Sequence, residues 1–141
     1  MYEAYLLLIP IDKDVFIHVG NLDEIKFIKG VYVYVGSGGR NVFKRLERHF
    51  KRVKKVRWHI DYLTSQFQPH SAYIIPNTSE EEIVEILIRK YPYVRGFGSS
   101  DTKYPSHLFH LKNKTEIKKL LNHLRNKGYK PIKYTPKNQN S

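Results

Sequence analysis

The sequence predicts an α+β fold: a small antiparallel sheet of about three strands flanked by helices, with an extra strand and helix towards the C-terminus. Three observations predict it. Short alternating apolar segments joined by brief links fill the N-terminal part, among them "YEAYLLLIPI" and "GVYVYVG". Helical periodicity then takes over in "NVFKRLERHFKRV". The two patterns interchange up to Gly128 with no internal repeat and no linker composition, so residues 1–128 read as a single domain and 129–141 as a loose tail.

Taken in order, "YEAYLLLIPI" is an apolar strand closed by Pro10 and the polar "DKD", and "VFIHVG" is a second short strand. "NLDEIKFIKG" reads as a connection to a third strand, "GVYVYVG", so the three are expected to form an antiparallel meander. Strand alternation puts Tyr32 and Tyr34 on one face and Val31, Val33 and Val35 on the other. In the helix that follows, Phe43, Leu46, Phe50 and Val53 recur at i, i+3, i+7 and i+10, predicting a core-facing stripe. Arg45, His49 and Arg52 fall on a flank beside it. "VRWHIDYLTSQF" predicts a second helical segment, ended by Pro69, and "SAYIIP" a strand. "NTSEEEIVEILIRKY" has the clearest helix signals: Thr78 and Ser79 as caps, acids in the first turn, Arg89 and Lys90 near the end. A glycine- and proline-bearing loop, "PYVRGFGSSDTKYPS", leads to the strand "HLFHL". Last comes an amphipathic helix with Ile117, Leu120, Leu121 and Leu124 inward and Gly128 stopping it.

Charge supplies the strongest global signal. The chain carries 25 Lys and Arg against 13 acids, a formal +12. Nine of the bases and one acid, Glu47, lie between Arg40 and Arg57, and nine bases with one acid, Glu116, lie beyond Leu111. A thermophile surface would raise both signs together; only one sign has risen here, the footprint of a polyanion binder. The absence of cysteine excludes disulfides, thiolate zinc sites and a cysteine nucleophile, and fits a reducing cytoplasm. Seven histidines lack an HxxxH zinc spacing. No apolar run is long enough for a membrane span and no leader pattern stands at the N-terminus, so a cytoplasmic protein with no membrane partner is expected.

Hydrolysing a phosphodiester requires an aligned water, a group to take its proton, and positive charge for the phosphorane. One carboxylate suffices to hold Mg²⁺ when water and phosphate fill the other positions. Tyrosines beside an arginine-bearing helix, plus one carboxylate elsewhere, form a workable set. "YVGS" at 34–37 followed by "RNVFKRLERHF" resembles the GIY-YIG nuclease superfamily, whose members carry a tyrosine strand, a glycine turn and a helix bearing Arg and often "RH". The resemblance implies that Tyr34 is the "YIG" tyrosine and that Tyr5, on a neighbouring strand, matches the "GIY" one, although "EAY" stands there and no glycine precedes it. It further implies that Arg45 stabilises the phosphorane, that His49 positions phosphate or relays a proton, and that His59 matches a second histidine of some members. Glu80, with Glu81 and Glu82 as rivals, would hold Mg²⁺ or Mn²⁺; the late asparagine of the superfamily has no counterpart.

"RWHIDYL", "GFGSSD" and "PSHLFHL" resemble more closely a small prokaryotic branch of uncertain function, over roughly Tyr5 to Leu111. In that branch the domain is sometimes fused to a DNA glycosylase of the endonuclease-three type, which implies a DNA-repair partner. The expectation is therefore a divalent-metal-dependent DNA endonuclease, with Ser37, Arg40, Lys44, Arg48, Lys51, Arg52, Lys54, Lys55 and Arg57 contacting nucleic acid. The alternatives are a non-catalytic DNA- or RNA-binding module on the same scaffold and an RNA-associated accessory protein.

Overall fold

The computed structural model describes residues 3–100 and 102–136. Its centre is β1, Glu3–Ile11, an apolar run buried on both faces and paired with a strand along each edge. Antiparallel to it run β4, Gly30–Ser37, on one side and β5, Ser71–Pro76, on the other. β6, Leu108–Leu111, extends the sheet beyond β4, and β7, Ile132–Tyr134, extends it beyond β5. The sheet order is thus β6-β4-β1-β5-β7. A separate hairpin pairs β2, Val15–His18, with β3, Glu24–Phe27.

Alternation along the strands sorts side chains into two cores. Tyr5, Leu7, Ile9 and Tyr32 face the hairpin, helix α1 (Val42–Phe50) and helix α2 (His59–Thr64). Leu6, Leu8, Val33 and Val35 face helix α3 (Glu80–Ile88) and helix α4 (Thr115–Asn126). Each long helix starts or stops for a local reason. The Asn41 side chain accepts the Lys44 N–H at 3.0 Å to cap α1, and Ser79 forms a capping box with Glu82 on α3. Gly128, at φ +97°, supplies the left-handed step just beyond α4. No helix among the described residues is long and apolar enough to cross a membrane.

The α+β class holds, with corrections of detail. Among the described residues the main sheet has five strands rather than about three, and the first three expected strands do not pair as a meander. The expected second strand, β2, turns away from β1 and pairs with β3, which lies inside the segment read as a connection. The α1 stripe is also shifted. Phe43 is 62 % exposed and Val53 92 % exposed, whereas Val42, Leu46, His49 and Phe50 are buried. The helix ends at Phe50, so its period does not extend to Val53 and Arg52. Finally, the tail from residue 129 is not loose over its first part: β7 pairs with β5, and the Tyr134 ring lies 5.9 Å from that of Phe50. Residues 137–141 lie outside the described residues.

Candidate active site

Tyr5 and Tyr34 stand on neighbouring strands, as expected, with Tyr5 opposite Gly36 and Tyr34 opposite Leu7. Their rings share a face at 6.3 Å between centroids. Gly36 is required by close approach: a Cβ there would run into Cζ and Oη of Tyr5. The glycine of "YVG" therefore exists to let the Tyr5 ring lie across the strand. Behind that ring, Tyr5 Oη and His49 Nε2 are 2.7 Å apart in a buried hydrogen bond, while His49 Nδ1 has no partner. A buried N–H without an acceptor is rarer and costlier than a bare lone pair. That argues for the tautomer in which Nε2–H donates to Tyr5 and Nδ1 carries none. Burial drives the same outcome, pushing His49 down to about 3 against the weaker upward pull of Asp61. Burial raises both phenols well above the ordinary range; Glu80 adds to this and Arg45 opposes it.

Arg45, the middle of α1, donates to the Ser37 carbonyl at the end of β4 and lies 5.1 Å from the Trp58 ring centre. Arg48 sits 4.6 Å from the same ring and grips Asp61 with two bonds of 2.8 Å. Asp61 is fully buried and also accepts the backbone N–H groups of Arg57 and Trp58. Desolvation pushes its carboxyl up, but these bonds, Arg48 first, hold it below the usual carboxylate range. Lys54 is likewise committed, to the His49 carbonyl and the Thr64 hydroxyl, and burial lowers it to about 8. Of the expected nucleic-acid contacts, then, Arg48 and Lys54 serve the fold. Arg40, Lys44, Lys51, Arg52, Lys55 and Arg57 are exposed, and Ser37 lies at the site itself.

Glu80 is the first residue of α3 and meets the buried His107 through Oε2 at 3.2 Å from Nδ1. His107 is also within reach of the Val35 carbonyl and the Thr102 hydroxyl, each at 3.3 Å. Of the rival acids, Glu82 is taken up by Ser79 and the Tyr129 hydroxyl, and Glu81 is exposed. His59 accepts the Gly98 N–H on Nδ1 at 2.9 Å, so its other nitrogen carries the proton, aimed at Asn21 Oδ1 3.2 Å away. It fastens the loop that follows Phe97, and desolvation lowers its pKa.

These side chains meet in one cleft of about 310 Å³, lined by Tyr5, Tyr34, Arg45, His59 and Glu80 and closed by Trp58, His107, Gly98, Ser100 and Thr102. His49 stands directly behind Tyr5. Tyr32 shares the tyrosine face but not the cleft; its hydroxyl donates to the Ile28 carbonyl at 2.8 Å. A larger groove, about 570 Å³, lies by Phe43, Ile132 and Tyr134 and contains none of the expected catalytic residues. Sequence reading missed Trp58 as a wall and His107 as the partner of Glu80. "HLFHL" showed a strand with histidines, and nothing in its spacing marks which one faces α3.

Neither a curated protein nor a solved structure matches this chain. A family does match, over residues 4–129, which takes in every strand and helix that builds the cleft, and the chain belongs to it: the family described as "Domain of unknown function DUF123".

Proposed function

We propose that this protein is a divalent-metal-dependent DNA endonuclease of the GIY-YIG type, acting in DNA repair or processing. One observation supports it above the others: Tyr5, Tyr34, Arg45 and Glu80 come from four different elements, β1, β4, α1 and α3, and line a single cleft. In this reading a water held in the cleft attacks phosphorus and passes its proton to the ionised Tyr34. The bond from phosphorus to the leaving sugar oxygen breaks, that oxygen takes a proton from solvent to leave as a hydroxyl, and Arg45 bears on the charge that develops on the phosphorane oxygens. Tyr5, held by His49, positions the water or the phosphate beside Tyr34.

The donor set suits a hard cation. Among the described residues that line the cleft, Glu80 is the one carboxylate, so water and substrate phosphate would have to complete a metal's shell. Mg²⁺ commonly accepts one or two carboxylates, retaining waters and taking substrate phosphate for the rest. Bound at Glu80, Mg²⁺ or Mn²⁺ would polarise a phosphate oxygen and offset the carboxylate charge that adds to burial in pushing Tyr34 up.

The test is cleavage of plasmid, branched and single-stranded DNA with Mg²⁺, Mn²⁺ or chelator, by the wild type and by Glu80→Gln. Metal-dependent cleavage that Glu80→Gln abolishes, with DNA binding kept or tightened, supports the reading. Equal, metal-independent cleavage by both proteins would refute the role of Glu80. A wild type that binds DNA and cuts none of these substrates would leave the second reading, a non-catalytic binding module that engages a repair partner. That alternative is favoured by the closed pairing of the resting cleft, with Tyr5 engaged by His49 and Glu80 by His107.

A further inference from the structure

The segment between α1 and α2, residues 51–58, leaves every side chain but that of Lys54 exposed. It reads "KRVKKVRW", and its apolar side chains point outward: Val53 is 92 %, Val56 41 % and Trp58 36 % exposed. Lys51 and Arg52 stand exposed before them, and Lys55 and Arg57 between them. Single exposed apolar residues are ordinary. Three of them interleaved with four exposed cations, in a segment that ends in the wall of the cleft, are not. Nor is the end of the segment loose. Asp61 accepts the N–H groups of Arg57 and Trp58, and Arg48 ties the Lys55 carbonyl at 2.7 Å while lying against the indole. The indole is thus pre-positioned, at little further ordering cost on binding.

A ligand matching this surface must bring regularly spaced negative charge together with flat apolar area. Duplex DNA offers the charge, but its base faces are stacked away. An unpaired strand offers both, and aromatic side chains in basic grooves are the usual means of holding one. Resting on the proposed nuclease reading, we infer that residues 51–58 form a receptor for an unpaired nucleobase, with Trp58 as the stacking element and Val53 and Val56 as apolar supports. The strand whose phosphate enters the cleft is then single-stranded or locally opened, and intact duplex is the poorer substrate.

The chain has one tryptophan, so Trp58 is its own probe. Its fluorescence is titrated in chelator with a thymidine oligomer, a blunt duplex of equal length, inorganic polyphosphate and phosphatidylserine vesicles. Quenching by the thymidine oligomer that clearly exceeds quenching by duplex or polyphosphate is expected. Trp58→Ala should weaken single-strand binding, read by anisotropy of a labelled oligomer, about tenfold or more, with Trp58→Phe recovering part of it. Val53→Ser cannot disturb packing at so exposed a site, so it guards against misfolding of the Trp58 variants. It should weaken the oligomer several-fold and leave polyphosphate unchanged. Equal quenching by duplex, by polyphosphate or by vesicles would overturn the inference while leaving the nuclease reading standing, as would oligomer binding that Trp58→Ala and Val53→Ser leave untouched. Absence of binding to any nucleic acid would end both.

Discussion

A single added methyl at Gly36 tests how the cleft is assembled. Gly36 lies opposite Tyr5, and a Cβ there would overlap Cζ and Oη and come within 2.8 Å of Cε2, where ordinary contact begins at 3.4 Å. Gly36 is not at positive φ, so alanine meets no backbone strain and the whole penalty falls on the ring. That ring is 2 % exposed and packed on Tyr34 and His49, so it cannot move without giving up its hydrogen bond to His49. Overpacking of this kind costs about 1–3 kcal/mol, and losing a buried hydrogen bond about 1 kcal/mol more. Exchanging glycine for alanine in a strand returns roughly 0.5–1 kcal/mol. Gly36→Ala should therefore destabilise by about 1–3 kcal/mol in urea unfolding. With Tyr5→Ala in the background the methyl has room, and the same substitution should be neutral or stabilising. A double-mutant cycle reads the difference as a coupling of at least about 1 kcal/mol. An identical cost in both backgrounds would refute the close approach, and with it the reason given for the glycine of "YVG".

Three further outcomes follow from the same geometry. His49 is depressed from 6.5 to about 3, so between those values the unfolded chain takes up a proton that the folded one does not. Its contribution to stability is complete above pH 6.5 and is lost as pH falls, by up to about 1.4 kcal/mol per unit; His49→Leu should flatten the curve of urea midpoint against pH, and an equally steep curve would count against it. Asp61→Asn leaves Arg48 without its counter-charge, and because Arg48 retains 20 % exposure the cost should lie near the lower end of the range for a broken buried pair, about 3 kcal/mol in urea unfolding. If the cleft cuts DNA, Arg45→Ala should lower turnover by about 10²–10³ and Lys51→Ala, on the exposed C-cap, should barely change it; equal losses in steady-state assays would remove the special place of Arg45.

The cleft residues were picked out by the resemblance, which attaches to local patterns. Tyr34 and Gly36 close an alternating strand, Arg45 and His49 are one turn apart, and Glu80 opens a helix with a clear cap. What escaped depends on partners distant in sequence. Arg48 and Lys54 counted as free cations until Asp61 and Thr64, from the next helix, were seen to hold them. β3 was missed because Glu24 and Lys26 face outward and leave too little apolar signal in a four-residue strand. β7 was missed for a similar reason: Ile132 and Lys133 are exposed, and Tyr134 gains its burial from Phe43 and Phe50 on α1. Val53 was placed in the core by extending a helical period past the point where the helix stops.

The position of the cleft follows from the two-core arrangement. Tyr5 and Tyr34 belong to the face covered by α1 and α2, whereas α3 packs on the opposite face, so a carboxylate in the middle of α3 would be screened from them by the sheet. Glu80 escapes this because it opens α3, one turn before the first buried residue of that helix, Ile83. There β4 closes at Ser37, whose carbonyl holds Arg45. His107 bridges the same end by reaching both Val35 on β4 and Glu80. An acid from one layer and an arginine from the other thus act on the same two phenols with opposite sign. Burial dominates both, so the resting tyrosines are neutral. In the proposed reading, a cation at Glu80 would offset the part of the shift that the carboxylate adds to burial, and a phosphate entering without it would enlarge that shift.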